Sequence, residues 1–347
     1  MSDPSLPGSI EPVHPHEVWI IKPSPPRWWI HIGLLLATLM STTLVGAHIQ
    51  SNFVSRQLAF SINDDLSSFL SSVWHDPSRM LAGLPFSLTL MFILMAHEMG
   101  HYLYARHYRV NATLPYFIPF PSLIGTLGAF IRIKSPIPSR SALFDIGIAG
   151  PIAGFIPACI AVVTGIPLSQ PLALAVGASD NQPGYPLFFS LAARSLHIGS
   201  PLSSLSLHPI AAAGWVGLFA TALNLLPGGQ LDGGHIFYSI FPKLHRWASL
   251  LTVATLLVLS EYCFWVWSLW AVILWITSYH PPVPSRPAIS KPRRWIGVFA
   301  IAMLTLSFIP APFSHNSGRE VWPDFRGQMR EMFRGVGDHA RRLLHRP

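Results

Sequence analysis

Charged side chains are scarce in this sequence: only 11% of its 347 residues are Asp, Glu, Lys or Arg, whereas 50% are hydrophobic. Water-soluble domains usually carry about 25% charged residues, so the composition excludes an ordinary soluble domain and predicts an integral membrane protein. Cysteine is almost absent, because Cys159 and Cys263 are the only two and both lie within apolar runs. They predict small buried hydrophobic residues rather than a disulfide framework.

The positive charge that the sequence does carry, formally +8, lies largely between apolar segments and in the C-terminal tail. Basic residues in those places suit the anionic headgroups of a lipid bilayer, which is the first partner that we predict. The sequence contains no nucleic-acid motif, so no nucleic-acid partner is expected. Because the proline-rich N-terminus carries Asp3, Glu11 and Glu17, we expect neither a cleaved signal peptide nor an acid-poor transit peptide there.

The polar residues of Ala96-His97-Glu98-Met99-Gly100-His101 interrupt the end of an apolar helical run. Polar groups in hydrocarbon are costly unless they have a partner or a function. His97 and His101 are four residues apart, so both imidazoles lie on one helix face and can bind a single metal ion. Glu98 follows the first histidine, as does the general base of zinc metalloproteases.

A hydrolytic zinc site takes three protein ligands, so the two histidines need one more donor. A second break occurs where an apolar run from 209 to 226 meets Pro227-Gly-Gly-Gln-Leu-Asp232-Gly-Gly-His235. Asp232 is the preferred third ligand and His235 is its rival, three residues further on. Asn224 lies eight residues before Asp232, and it has two interpretations: a hydrogen bond between packed helices, or a donor to the oxyanion that forms when a peptide carbonyl is attacked.

The hydropathy pattern divides the chain into five parts. These are an N-terminal polar arm (1–28), a first span with an outer loop (29–80), a membrane core with both motifs (81–241), C-terminal spans (242–311) and a basic amphipathic tail (312–347). Counting spans with the N-terminus inside places both motifs on the inner side of the membrane.

The predicted fold is an all-α polytopic membrane protein with about seven transmembrane helices. A short membrane-associated β loop is predicted after the helix of His97 and His101, because prolines bracket the segment Ser122-Leu-Ile-Gly-Thr-Leu-Gly-Ala-Phe-Ile-Arg-Ile-Lys134. In the third predicted span, Gly150-Pro151-Ile-Ala-Gly154 indicates a close helix packing contact. Asp145, near the start of that span, is interpreted as an N-cap or first-turn acid.

These motifs together resemble a known family. His97-Glu-Met-Gly-His101 in an early span, followed by Asn224-Leu-Leu-Pro227-Gly-Gly-Gln-Leu-Asp232-Gly-Gly in a later one, is similar to the site-2 protease family of intramembrane zinc metalloproteases. The resemblance covers roughly residues 81–241 and is greatest to the plant plastid and bacterial members that lack a PDZ insertion. It implies one Zn²⁺ ion bound by His97, His101 and Asp232.

The resemblance also implies that Glu98 is the catalytic base and that Asn224 binds the carbonyl oxygen. The implied function is regulated intramembrane proteolysis, in which peptide bonds in the transmembrane segments of membrane-anchored proteins are hydrolysed. The implied partner is therefore a transmembrane protein substrate. We expect the protein in a bacterial cytoplasmic (inner) membrane as a multi-pass protein, with its active site towards the cytoplasmic side.

Two other classes of function are compatible with parts of the pattern. A membrane metal transporter would also place His and Asp at membrane depth, but it does not need Glu98. A non-catalytic relative that binds membrane helices would not need the complete set of catalytic residues, which this sequence has. No oligomeric state follows from the sequence.

Overall fold

The computed structural model is mostly helical, with ten α-helices among the residues that it describes. Those residues are 27–61, 66–173, 182–285, 289–314 and 317–323. The predicted N-terminal arm, apart from its last two residues, and most of the predicted amphipathic tail lie outside this set.

Within the described residues, three helical stretches are long and apolar enough to cross a bilayer. The first is α1, Trp28–Val54, which is followed by the short helix α2, Leu66–His75. The second joins a 3₁₀ turn, Pro77–Gly83, to α3, Leu84–His107, and the third is α4, Arg140–Gly165. These lengths support a membrane protein with three candidate spans, a coarser result than the predicted number of about seven.

The remaining helices are shorter and follow one another closely along the second half of the chain. They are α5 (Leu187–Ser195), α6 (Pro209–Asn224), α7 (Asp232–Ile240), α8 (His245–Tyr262), α9 (Trp267–Ile276) and α10 (Lys291–Ser307). Of these, α6 and α9 are strongly apolar although they are shorter than a typical span. The break between α6 and α7 contains the Pro227-Gly-Gly-Gln-Leu segment.

Two short antiparallel strands follow α3: β1, Tyr116–Pro119, pairs with β2, Thr126–Phe130. The turn between them contains Gly125, whose φ of 82° favours glycine. The Ser41 hydroxyl on α1 donates to the Gly125 carbonyl at 2.6 Å, which attaches this hairpin to the first helix. A second small pair joins β3, Gln170–Pro171, to β4, Leu205–Ser206.

Small residues allow α4 to pack closely between α3 and α6. A Cβ at Gly100 of α3 would lie 2.5 Å from the Ala149 carbonyl oxygen, and a Cβ at Gly165 would lie 2.4 Å from the Ala211 backbone nitrogen of α6. Backbones approach this closely only where side chains are absent. Large buried side chains fill the space around these contacts: Phe86, Leu90, Phe144, Phe155, Trp215 and Leu218.

Asp145 does not cap α4, contrary to the sequence-based interpretation. The helix begins five residues earlier, where the Ser139 hydroxyl accepts a hydrogen bond from the Ala142 amide at 3.2 Å. Asp145 accepts two hydrogen bonds from the Arg293 guanidinium of α10, at 2.9 and 2.7 Å, and a third from the Tyr108 hydroxyl. Its carboxylate therefore ties α10 to α4, a long-range partnership that local capping rules cannot predict.

Candidate active site

Helix α3 brings three polar side chains together inside the protein. His97, Glu98 and His101 expose only 6%, 5% and 7% of their surface. Since residues four apart share a helix face, the two imidazoles point to the same side, and their Nε2 atoms lie 3.1 Å apart. Two ring nitrogens at this separation can bind the same metal ion.

Asp232, the first residue of α7, completes a triangle of donor atoms. Its Oδ2 lies 3.3 Å from His97 Nε2 and 3.2 Å from His101 Nε2. Donor atoms of a tetrahedral zinc site with bonds of about 2.0–2.1 Å lie roughly 3.3 Å from one another, so the triangle has the dimensions that zinc requires. Among the described residues, this is the one group of three or more His, Cys, Asp or Glu side chains with ligand atoms this close.

A hydrogen bond on the side of the His101 ring that faces away from the triangle fixes its orientation. Its Nδ1 lies 2.7 Å from the Ile146 carbonyl oxygen of α4. A carbonyl can only accept, so Nδ1 carries the hydrogen and Nε2 keeps its lone pair for a metal. Backbone carbonyls commonly play this part for metal-binding histidines, and they hold both the tautomer and the plane of the ring.

Two glycines of α4 make the space that the histidine rings occupy. A Cβ at Gly150 would lie 2.0 Å from His101 Nε2, and a Cβ at Gly154 would lie 3.0 Å from the His97 Cβ. The sequence predicts a packing contact for these two glycines but does not reveal that their partners are the candidate ligands. The i, i+4 spacing of the glycines matches that of the histidines.

Asp232 is positioned by the broken backbone that precedes it. The chain folds back so tightly that a Cβ at Gly233 would lie 2.1 Å from the Leu225 carbonyl oxygen, and one at Gly234 would lie 2.4 Å from the Gly229 carbonyl oxygen. The two glycines that follow Asp232 are therefore required by the close approach of backbone to backbone.

Helix α8 supplies hydrogen-bond partners for this broken backbone. The Ser249 hydroxyl accepts from the Gly229 amide at 3.0 Å, His245 Nε2 lies 3.0 Å from the Gly229 carbonyl oxygen, and the Thr252 hydroxyl donates to the Pro227 carbonyl at 3.3 Å. Irregular backbone among apolar spans needs such partners, because no water is present to satisfy it. These three side chains share one face of α8.

Asn224, the last residue of α6, reaches the same centre. Its Nδ2 lies 3.3 Å from His97 Nε2. The amide thus borders the donor triangle, where it could donate to a carbonyl oxygen bound there. Of the two interpretations left open by the sequence, this location favours a site residue over a simple bond between packed helices.

His235, the rival ligand, lies outside the donor triangle although it lines the same cavity. Its Nδ1 is instead 2.9 Å from Nε2 of His280, a residue that follows α9. The preference for Asp232 over His235 therefore agrees with the geometry. The sequence gives no signal for His280, because 45 residues separate the two histidines.

A cavity of about 230 Å³ opens beside the donor triangle. One wall is formed by the end of the hairpin, Ala129 to Ile131, and another by Gln230, Asp232 and His235. The backbone amide of Ile131 approaches the Glu98 carboxylate. The cavity is thus lined by the candidate base Glu98, by the donor triangle and by the end of the hairpin.

Comparison with known proteins identifies one matching family, Peptidase family M50, over residues 85–266. The chain is 31% identical over 263 residues to the "Probable zinc metalloprotease EGY2, chloroplastic" of Arabidopsis thaliana, covering 72% of this chain and 46% of that protein. It is 32% identical over 244 residues to the "Probable zinc metalloprotease EGY1, chloroplastic" of Oryza sativa subsp. japonica, covering 66% of this chain and 41% of that protein. The chain therefore spans about half the length of the curated relatives that it matches.

These relatives overturn the predicted location. We expected a bacterial cytoplasmic membrane, but the matched plant proteases are named as chloroplastic, which contradicts that expectation. The sequence-based expectation rested on resemblance to a branch with both plastid and bacterial members. Nothing in the local motif distinguishes the two compartments, since both require the same metal chemistry.

Proposed function

Because this chain belongs to peptidase family M50, we propose that it is a zinc metalloprotease that hydrolyses peptide bonds in the transmembrane segments of membrane-anchored proteins. The observation that carries this proposal is the triangle of His97, His101 and Asp232 donor atoms, with sides of 3.1–3.3 Å, beside the buried carboxylate of Glu98. Two nitrogens and one carboxylate oxygen are a zinc protease donor set, and they leave room for substrate.

His97, His101 and Asp232 would hold one Zn²⁺ ion, which would supply the Lewis acidity needed to polarise a peptide carbonyl and acidify water. Glu98 removes a proton from the attacking water and later delivers it to the leaving nitrogen. Asn224 donates a hydrogen bond to the carbonyl oxygen as negative charge develops on it. The buried surroundings strengthen each of these interactions, because few solvent dipoles screen them.

The substrate has to unwind before it can be cut, since the carbonyls of a transmembrane helix are already hydrogen-bonded. We propose that the hairpin segment from Gly125 to Ile133 holds the unwound chain by adding it as a further strand. The contact of Ala129 and Ile131 with the cavity supports this role. A strand paired there would pass beside Glu98.

The proposed topology is a core of residues 81–241 within about seven spans, flanked by the arm 1–28, the first span and loop 29–80, the C-terminal spans 242–311 and the tail 312–347. The three candidate spans support the membrane location. In this arrangement residues 247–279 form a hairpin of two further spans, interrupted at Glu261. The substrate and the catalytic centre then share the bilayer as their solvent.

Glu98→Gln tests the proposal. The amide fills the same space but cannot remove a proton, so cleavage should fall by about 10²–10⁴-fold while zinc content stays at the wild-type level. Glu261→Gln is the matched control, because that carboxylate is exposed and is paired with Arg319 at 3.6 Å. The assay compares the membrane proteomes of cells with each variant and measures zinc in the purified proteins.

The expected result is a membrane-anchored protein that accumulates uncut with Glu98→Gln and not with Glu261→Gln. Unchanged proteomes, together with unimpaired zinc flux in the Glu98→Gln variant, would instead support a metal transporter and refute the protease.

A further inference from the structure

A hydrogen-bonded pair of histidines borders the candidate active site. His235 lies one helical turn after Asp232 and lines the cavity. Its Nδ1 is 2.9 Å from His280 Nε2, and His280 Nδ1 is 2.7 Å from the Pro281 carbonyl oxygen. His235, His280 and the Pro281 carbonyl thus form a hydrogen-bonded row that begins at the cavity and ends on the backbone.

The direction of every hydrogen bond in this row follows from its last member. The Pro281 carbonyl can only accept, so Nδ1 of His280 carries a hydrogen, and Nε2 of the neutral ring has a lone pair. Nδ1 of His235 must therefore donate, which leaves the lone pair of His235 on Nε2. Burial lowers the pKa of His280, which keeps its ring neutral.

Packing holds the row in place. The Tyr238 ring stacks on His280 with centroids 4.0 Å apart and planes inclined by 13°. His245 meets the same imidazole edge-on at 5.5 Å. A flip of the His280 ring that offered its other nitrogen would lose the hydrogen bond to the Pro281 carbonyl.

The row is built to orient His235 rather than to conduct protons. A backbone carbonyl cannot take up a proton, so a proton that entered at His235 would have no exit. His235 also lies outside the metal-sized donor triangle, and within the described part of the chain its side chain makes its hydrogen bond through Nδ1, to His280. The result is a fixed hydrogen-bond acceptor on a side chain that lines the cavity together with Asp232.

A peptide in the cavity would bring the donor that this acceptor lacks. An extended chain carries N–H and C=O groups on both edges. If one edge pairs with the hairpin wall, the other faces the wall that contains Asp232 and His235. Asn224 can donate to carbonyls on that edge, and its N–H groups face a wall on which His235 Nε2 is an acceptor, beside the oxygens of Gln230 and Asp232.

We propose that His235 Nε2 accepts a hydrogen bond from a backbone N–H of the bound peptide next to the cleaved bond, with His280 as its positioning residue. This inference rests on the proposed protease function and deepens it, because it assigns a substrate-binding residue beyond the zinc ligands and the base. The ligand class is an extended peptide, recognised through its main chain.

The test uses a three-residue peptide hydroxamate, which binds zinc, and analogues in which each backbone N–H in turn is replaced by an ester oxygen. Affinities are measured with the zinc-loaded full chain in detergent micelles. For the wild type, one analogue should bind about 5-fold more weakly than the parent, as expected for one hydrogen bond. In His235→Leu the parent and that analogue should bind equally well, while His235→Gln, whose side-chain oxygen can accept, should keep part of the difference.

The outcomes separate this inference from the proposed function. Zinc-dependent binding of the parent, with the same analogue ratios in the wild type and in His235→Leu, refutes the role of His235 and leaves the protease intact. Hydroxamate binding that does not depend on zinc refutes the protease itself, and the inference with it.

A second measurement tests the positioning role of His280 without any ligand. ¹⁵N NMR of histidine-labelled protein reports which ring nitrogen carries the hydrogen, and the His235→Gln spectrum identifies the signals of His235. The wild type should show hydrogen on Nδ1 of His235, and His280→Phe should release this preference although it preserves stacking on Tyr238. His280→Gln, which offers an acceptor oxygen, should restore it. Hydrogen on Nε2 of His235 in the wild type would overturn the inference.

Discussion

Gly150→Ala should disable the metal site without harming the fold. The added Cβ would lie 2.0 Å from His101 Nε2, and ordinary van der Waals contact begins at about 3.4 Å. The ring would therefore have to move by about 1.4 Å. This exceeds by far the variation of about 0.2 Å that metal–ligand distances tolerate.

The ring has little freedom to move aside. Its Nδ1 is held at 2.7 Å by the Ile146 carbonyl of α4, the helix that also contains Gly150, so a shift of Nε2 also breaks this bond. Loss of a partner that orients a ligand lowers metal affinity by about 10–100-fold, and here the ligand itself is displaced as well. We expect zinc affinity to fall by at least about 100-fold.

Competition with a chromophoric chelator measures this affinity, and circular dichroism monitors helix content. Alanine favours a helix over glycine by about 1 kcal/mol, so helix content should be unchanged or higher. Gly33→Ala in α1 is the matched control, because a Cβ there meets nothing within 4 Å. If Gly150→Ala bound zinc as tightly as Gly33→Ala, the assignment of His101 as a ligand in this geometry would be refuted.

Two further predictions concern the surroundings of the site. Arg293→Leu should lower the free energy of unfolding by about 2–3 kcal/mol, since it removes two hydrogen bonds to the Asp145 carboxylate and leaves that charge uncompensated. Arg293→Lys should lower it by about half as much. Equal thermal stability of both variants and the wild type in micelles would contradict this. Phe130→Pro and Ile131→Pro should abolish cleavage with zinc content unchanged, because proline removes a backbone amide at the wall of the cavity. Alanine at either position should allow cleavage. Full activity of both proline variants would exclude pairing of the substrate with this segment.

The donor triangle could be predicted because each of its parts has a local cause. His97 and His101 meet through helical spacing alone, and Asp232 is marked by a charge between glycines at a break in an apolar run. The start of α6 at Pro209 could likewise be predicted, because the apolar run begins there. In these places the information lies within a few residues of the feature that it determines.

The partners of these residues could not be predicted in the same way. Asp145 and Arg293 are 148 positions apart, and an acid near a helix start has a sufficient local explanation as a cap. Gly150 and Gly154 have a sufficient explanation as packing residues, which hides that they make room for imidazole rings. His280 has no local signal at all. Each of these pairings depends on which helices pack together, and hydropathy does not specify that.

The segments after α7 are connected to the candidate site in two places, and both act on α7 or the break before it. The polar face of α8 holds the backbone at Pro227 and Gly229, a few residues before Asp232. His280 orients His235, which lies three positions after Asp232. Because α8 holds the break before α7 and His280 holds His235, displacement of this helical pair would move Asp232 and His235 together. The α8–α9 pair thus helps to position both Asp232 and His235, although its described residues supply none of the three donor atoms of the triangle.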